Sequence, residues 1–122
     1  MDRYYVVISP EEPMYAYVAQ IDSADIISPI FPNLQFSSTS NPLALKTEYR
    51  FPQKEYFLLG GVQAKERLYA IASRGPHKKI EAIYKELRSA DETRMKQLAR
   101  EFIEVFNQQE LNSAKGRWFS HG

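Results

Sequence analysis

The stretch SRGPHKKIEAIYKELRSADE, residues 73–92, is where one kind of sequence gives way to another. From Pro76 onward the apolar side chains fall at Ile80, Ile83, Tyr84 and Leu87, the spacing of a helix with one buried stripe. Pro76 suits the first turn of that helix. Glu81 and Lys85 stand four apart on the polar side, which reads as a solvated helix face rather than a basic recognition surface. Ser89 followed by Glu92 has the form of a capping box, and Met95, Leu98, Ala99, Phe102, Ile103 and Phe106 make the stripe of a second helix. Two amphipathic helices are therefore expected over 76–110, with Gly116 closing the helical region. In the tail GRWFSHG, Trp118 and Phe119 are costly to leave in water, so 116–121 is expected to be a final strand or a docked tail.

Upstream of residue 73 the pattern is that of strands: short runs of β-branched and aromatic residues cut by Pro, Gly, Asn and Ser. RYYVVIS places Tyr4, Val6 and Ile8 on one face; MYAYVAQID does the same for Tyr15, Tyr17, Ala19 and Ile21. PEEP between them reads as a turn, so the two runs are expected to pair as a hairpin. DIISPIF follows through the turn Asp22-Ser23-Ala24-Asp25 as a third strand, and PNLQFSSTSNP is a polar loop ending near Asn41-Pro42. ALKTEYRFP alternates Leu45, Thr47, Tyr49 and Phe51 against Lys46, Glu48 and Arg50, a half-buried strand by its period of two. EYFLLGG and KERLYAIAS, separated by Gly60-Gly61, complete six short strands over 1–75. In SPIFPNLQF, residues 28–36, Pro29 and Pro32 deny ladder donors while Phe31 can insert its ring into the core and Asn33 suits a turn, so the segment reads as a strand end with an anchored corner.

With 122 residues the chain is expected to form one domain, residues 1–122. Sixteen Lys and Arg against fifteen Asp and Glu supply no broad pull toward nucleic acid or anionic lipid. Cysteine is absent, which excludes disulfides and thiolate chemistry. Two histidines, His77 and His121, do not have metal-ligand spacing. LLGGVQAKER has a Gly pair beside Lys65 and Arg67 but not the order of a phosphate-binding loop. No catalytic, metal or cofactor residue is expected. The first residues, MDRYYVVISPEEP, have too short an apolar stretch for a signal peptide. The expectation is a cytoplasmic chain, or a periplasmic or outer-membrane-associated one if a leader has been removed, without direct membrane insertion.

Four segments in register, YAYVAQIDSADIISPIFPN, NPLALKTEYRFP, YFLLGGVQAKERLYAIASRGP and IEAIYKEL, resemble the bacterial domain of unknown function numbered 4384. The shared features are a strand ending in Asp22, the Phe31-Pro32-Asn33 corner, the Asn41-Pro42 turn and the Arg74 to Pro76 corner; the chain differs from that pattern in carrying Ala64 where a glycine is common. The resemblance implies an α+β chain whose first part is an antiparallel immunoglobulin-like β-sandwich of about six to seven strands. It also implies a module of bacterial envelope proteins and lipoproteins with no established enzymatic activity. Asp22, Phe31, Asn33, Arg74 and His77 are the candidate interaction or corner residues. The expected role is a non-catalytic interaction or assembly module with a protein partner in the envelope, no nucleic acid, and a homodimer if the helical stripe of Phe102, Ile103 and Phe106 is too wide for one contact. The alternative is a domain that holds a glycan, peptide or oligonucleotide on an aromatic sheet face beside Arg50 or Arg67.

Overall fold

In a computed structural model of the chain, residues 3–45, 48–54, 57–58, 67–109 and 116–121 are described. In chain order the elements are β1 (Arg3–Pro10), β2 (Tyr15–Ile21), β3 (Ile27–Phe31), β4 (Tyr49–Phe51), β5 (Phe57–Leu58), β6 (Arg67–Ser73), α1 (Lys78–Leu87), α2 (Glu92–Gln109) and β7 (Gly116–His121). Five of the strands reach five residues or more, and they lie in two small open sheets. One pairs β1 with β7, from Tyr5 opposite His121 to Pro10 opposite Gly116; the three-residue β4 and two-residue β5 also pair with β1. The other has the order β3-β2-β6. All pairings are antiparallel.

The immunoglobulin-like β-sandwich of six to seven strands is therefore not the fold. Two small open sheets stand in its place, and the reason is visible in β2. Alternate residues of this strand, together with Met14 just before it, go to opposite cores: Met14, Ala16 and Val18 join Tyr4, Val6 and Ile8 of β1 and Phe51 of β4. Tyr17, Ala19 and Ile21 join Ile80 and Ile83 of α1 and Leu98, Ala99, Phe102 and Val105 of α2. A sheet buried on both faces needs cover on both, and here the helices supply the second.

The expected hairpin of the first two strands does not form. β1 and β2 belong to different sheets, because the Pro10 to Pro13 segment carries the chain across from one to the other instead of turning it back along the same ladder. Both edges of β2 are taken: β6 runs along one from Tyr15 to Ile21, and β3 runs along the other from Val18 to Ile21, with residues 41–43 completing it at Met14 and Ala16. Met14 and Leu43 exchange backbone hydrogen bonds of 3.1 and 2.6 Å. The Asn41 side chain copies a strand neighbour: its Oδ1 accepts from Ala16 N–H and its Nδ2 donates to Ala16 C=O, both at 2.9 Å. β3 follows β2 through the turn read from the sequence, with Asp22 Oδ1 accepting from Ala24 and Ile26 N–H at 2.9 Å and Asp25 at a φ of 60°, which Asp tolerates.

Between β2 and β3 the register passes from Val18 opposite Phe31 to Ala19 opposite Pro29. Ile30 is thus the extra residue of a bulge, and that is how two adjacent side chains, Ile30 and Phe31, both reach the core. The long alternating strand expected from Leu45 to Phe51 is cut to Tyr49–Phe51. Leu45 is exposed, Lys46 and Thr47 lie outside the described residues, and so does the Gly60-Gly61 turn. The tail resolves as the strand β7.

Both helices begin two residues later than the expected signals place them. The N-cap of α1 is His77, whose Nδ1 accepts from Ile80 N–H at 3.3 Å, so Pro76 precedes the helix instead of opening it. At α2 the cap is Asp91, with Oδ1 accepting from Arg94 N–H at 2.8 Å, not Ser89. Asp is among the best N-caps and stands directly before the helix, so the backbone has no use for the earlier serine.

The Phe31 ring is fully buried and stacks on Phe51 at 4.4 Å between centroids, which ties the β3 edge to β4 across the first core. Phe31→Ala should therefore cost about 3–5 kcal/mol, read as a lower urea midpoint with an unchanged slope. A loss below about 1 kcal/mol would mean that this core is able to collapse around the cavity.

Candidate functional site

The corner after β3 is built by side-chain amides. Asn33 Nδ2 donates to Pro29 C=O at 2.8 Å, and its Oδ1 accepts from Gln35 N–H at 2.9 Å. Its own carbonyl accepts from both Phe36 and Ser37 N–H. A single asparagine thus closes the turn from both sides, as its preference for Asx turns suggests. The far end of the turn is stitched to the corner after β4: Gln53 N–H donates to Phe36 C=O and Ser38 N–H donates to Gln53 Oε1, both at 3.0 Å. Phe36 meets Phe57 edge-on at 4.7 Å.

At the tip of this braced turn stands Leu34, with 86% of its surface exposed. A lone exposed leucine is ordinary. Here it separates two concavities. One, of about 560 Å³, lies between the turn and the β4 corner and is walled by Phe36, Pro52 and Phe57 with Lys54 at its rim. The other, of about 500 Å³, lies between the turn and α1 and is walled by Pro29, Pro32, Tyr84 and Leu87 with Arg88 at its rim. Leu34 lines both.

The residues singled out from the sequence are not brought together. Asp22 caps the β2–β3 turn. Arg74 stands beyond β6, paired with Glu12 at 2.9 Å. Tyr15 faces Ser73 and Ile21 faces Arg67, so Asp22 and Arg74 lie at opposite ends of β2, roughly 20 Å apart. Phe31 is core, and only Asn33 borders a concavity. His77 caps α1 and packs edge-on against Tyr17 at 6.3 Å. Among the described residues, no cluster of three or more His, Asp or Glu could hold a metal ion, and no helix is long and apolar enough to cross a membrane.

Among the described residues, the titratable groups with displaced pKa values hold the helices to β2 or to each other. The buried Tyr17 hydroxyl accepts from His77 N–H at 2.9 Å and donates to Glu81 Oε2 at 2.7 Å. Burial above all, with the bond to Glu81 adding to it, pushes its pKa well up, so it is a permanent donor. Tyr84 is pushed up in the same way by burial, and its hydroxyl donates to Val18 C=O at 2.8 Å. Between the helices, Arg94 grips Glu86, with Nη2 to Oε1 at 2.9 Å, and reaches Glu101 Oε2 at 3.0 Å; Lys79 closes the chain on Glu101 Oε1 at 2.6 Å. The Arg94 hydrogen bond holds the Glu86 carboxyl below its ordinary range, and the Lys79 bond does the same for Glu101.

What the sequence did not single out is the set Leu34, Lys54 and Arg88. A leucine isolated in a run of turn formers was the one available signal. The two cations come from separate elements, and nothing in their local sequence links them.

A family model described as Domain of unknown function (DUF4384) matches residues 2–76, more than half of the chain. No curated protein and no solved structure matches. The matched span includes the Leu34 turn and ends just before α1, so one concavity lies within it and the other is completed by a helix beyond it.

Two outcomes follow. Asn33→Ala, which removes both side-chain bonds that close the turn, should lower stability by about 1–2 kcal/mol in thermal unfolding. For the ion network, both glutamates have folded pKa values below their unfolded ones. Their contribution is present above the unfolded carboxylate range, near pH 4.3, and is lost as pH falls through the depressed folded values. Between about pH 7 and about pH 3, Tm should thus fall less steeply in Arg94→Met than in the wild type; equal slopes would remove the network from the acid response.

Proposed function

The chain belongs to the family of Domain of unknown function (DUF4384), and on that footing we propose that it is a non-catalytic interaction and assembly module of a bacterial cell-envelope protein. The observation that carries this reading is Leu34, held out 86% exposed on a turn that Asn33 and Gln53 brace, between two concavities of about 500 and 560 Å³. A large apolar side chain costs free energy in water and contributes to binding when covered. A braced turn limits the entropy lost on covering it. The titratable groups whose pKa values are displaced are engaged in holding α1 and α2, which leaves them a structural part.

The alternative, a ligand held on an aromatic sheet face, has less support. Phe51 is turned into the core, Tyr49 and Phe57 pack partly against it, and the Tyr5 ring already carries the Arg50 guanidinium at 4.4 Å. Glycan or base stacking would have to displace that cation.

A photo-crosslinking residue at position 34 of the full protein in its own cells should yield a discrete adduct with one protein, whereas the same residue at the exposed Lys78 should not. Leu34→Asp should abolish co-purification of that protein while leaving the circular dichroism and Tm unchanged. No adduct at position 34 would overturn the reading.

A further inference from the structure

The rims of the two concavities carry charge of one sign. Among the described lining residues, Lys54 is the sole charged side chain of the first and Arg88 of the second. Both are exposed, and neither forms an ion pair with a described carboxylate. The contrast is with Arg74, Lys79, Arg94 and Lys96, each of which has a glutamate partner. In a chain whose formal net charge is +1, the apolar walls around Leu34 are thus flanked by two cations with no neutralising partner among the described residues.

The backbone beside these walls narrows the mode of binding. Among the described residues β3 is an edge strand of its sheet, and edges invite a further strand. Pro29 lies within β3 and Pro32 directly follows it, so this edge is short of N–H donors, and Asn33 Nδ2 already occupies the Pro29 carbonyl. Strand addition is disfavoured here, and side chains must do the recognising.

We propose that Leu34 and its two flanking concavities receive an acidic, apolar segment of a protein partner, whose apolar side chains cover Leu34 and whose carboxylates pair with Lys54 and Arg88. This rests on the interaction reading given above. Charge at a rim acts chiefly on encounter and selection, while the apolar contact supplies the larger part of affinity. The two contributions therefore separate by substitution. Lys54 and Arg88 make no side-chain bond to a described residue, so reversing their charge should leave the circular dichroism unchanged, with a small loss of Tm because Arg88 is the C-cap of α1, where a cation is favoured.

The test is binding of the full chain to an array of random twelve-residue peptides, followed by titration of the selected peptides in solution. Bound peptides should be enriched in Asp and Glu next to Leu, Ile or Phe. Their Kd should rise roughly tenfold in the Lys54→Glu, Arg88→Glu double variant, and should also rise with ionic strength. Leu34→Ala should weaken the same peptides without changing their dependence on ionic strength. Enrichment of neutral or basic peptides, or equal binding by the double variant, overturns the acidic partner. If the position 34 adduct also survives the double charge reversal, the interaction reading stands without it. An adduct between two copies of this chain, or charge-dependent binding to phosphatidylglycerol vesicles in place of peptides, assigns the surface to another occupant and overturns the proposal. Absence of both peptide binding and the position 34 adduct removes the two readings together.

Discussion

The burial of β2 on both faces is the constraint on which the rest of the structure depends. Five of its seven residues are buried, only Tyr15 and Gln20 being half-buried, and Ala16, Val18, Ala19 and Ile21 are all apolar. A strand of this kind cannot sit in a sheet with a wet face, so the chain must provide one layer for each side. The first is β1 with its partners; the second is the helix pair. Tyr17 and Tyr84 make the second layer specific. A hydroxyl buried under a helix must find a partner or cost about 1–3 kcal/mol, and these two find theirs at His77, Glu81 and Val18. The helices are thereby fixed in position as well as held by apolar contact.

Much of this was legible locally. The alternation of Tyr4, Val6 and Ile8, the shared face of Tyr15, Tyr17, Ala19 and Ile21, and the stripe at Ile80, Ile83, Tyr84 and Leu87 each report a burial pattern imposed within one element, and periodicity reads such patterns directly. Which strand lies beside which was not legible. β1 and β2 part company because β6 and β3 take the two edges of β2, the second completed at Ala16 by Asn41, an interaction across 25 residues made by a side chain that copies a backbone. The immunoglobulin-like sandwich was implied by the family resemblance, and it fails at β2: YAYVAQI is apolar at almost every position, as a strand covered on both faces requires, whereas a sandwich strand alternates with one wet face. The cap at His77 was missed because histidine is a poor statistical N-cap; Tyr17 and the turn of α1 make it usable here.

The same division runs through the site. Asp22, Asn33 and Asn41 were legible as turn formers, and each closes a turn or an edge by its side-chain amide or carboxylate. Those duties take up both amide atoms of Asn33 and Asn41 and one carboxylate oxygen of Asp22. Leu34 was passed over because its sequence neighbours are loop residues, and an apolar residue in a loop is informative only once its exposure is known. Lys54 and Arg88 belong to different elements and meet Leu34 only through the tertiary fold.

The concavity between the turn and α1 joins the two halves of the molecule. One wall, Pro29 and Pro32, belongs to the bulged edge of the β3-β2-β6 sheet; the other, Tyr84 and Leu87, belongs to the first helix. Tyr84 does two things at once, since its hydroxyl reaches Val18 at the bulge and its ring lines the concavity. Arg88 directly follows the last turn of α1, whose position is held by the grip of Arg94 on Glu86 two residues earlier. The width of this groove is accordingly set by how α1 is docked, not by the loop alone. Glu86 and Arg94 lie outside the concavity, yet a change at either bears on it through the helix. The turn that carries Leu34 is braced independently, through Asn33 and Gln53. One side of the surface is therefore positioned by the helices and the other by the sheet, which is the physical basis for treating the two concavities as separate contributors to whatever covers Leu34.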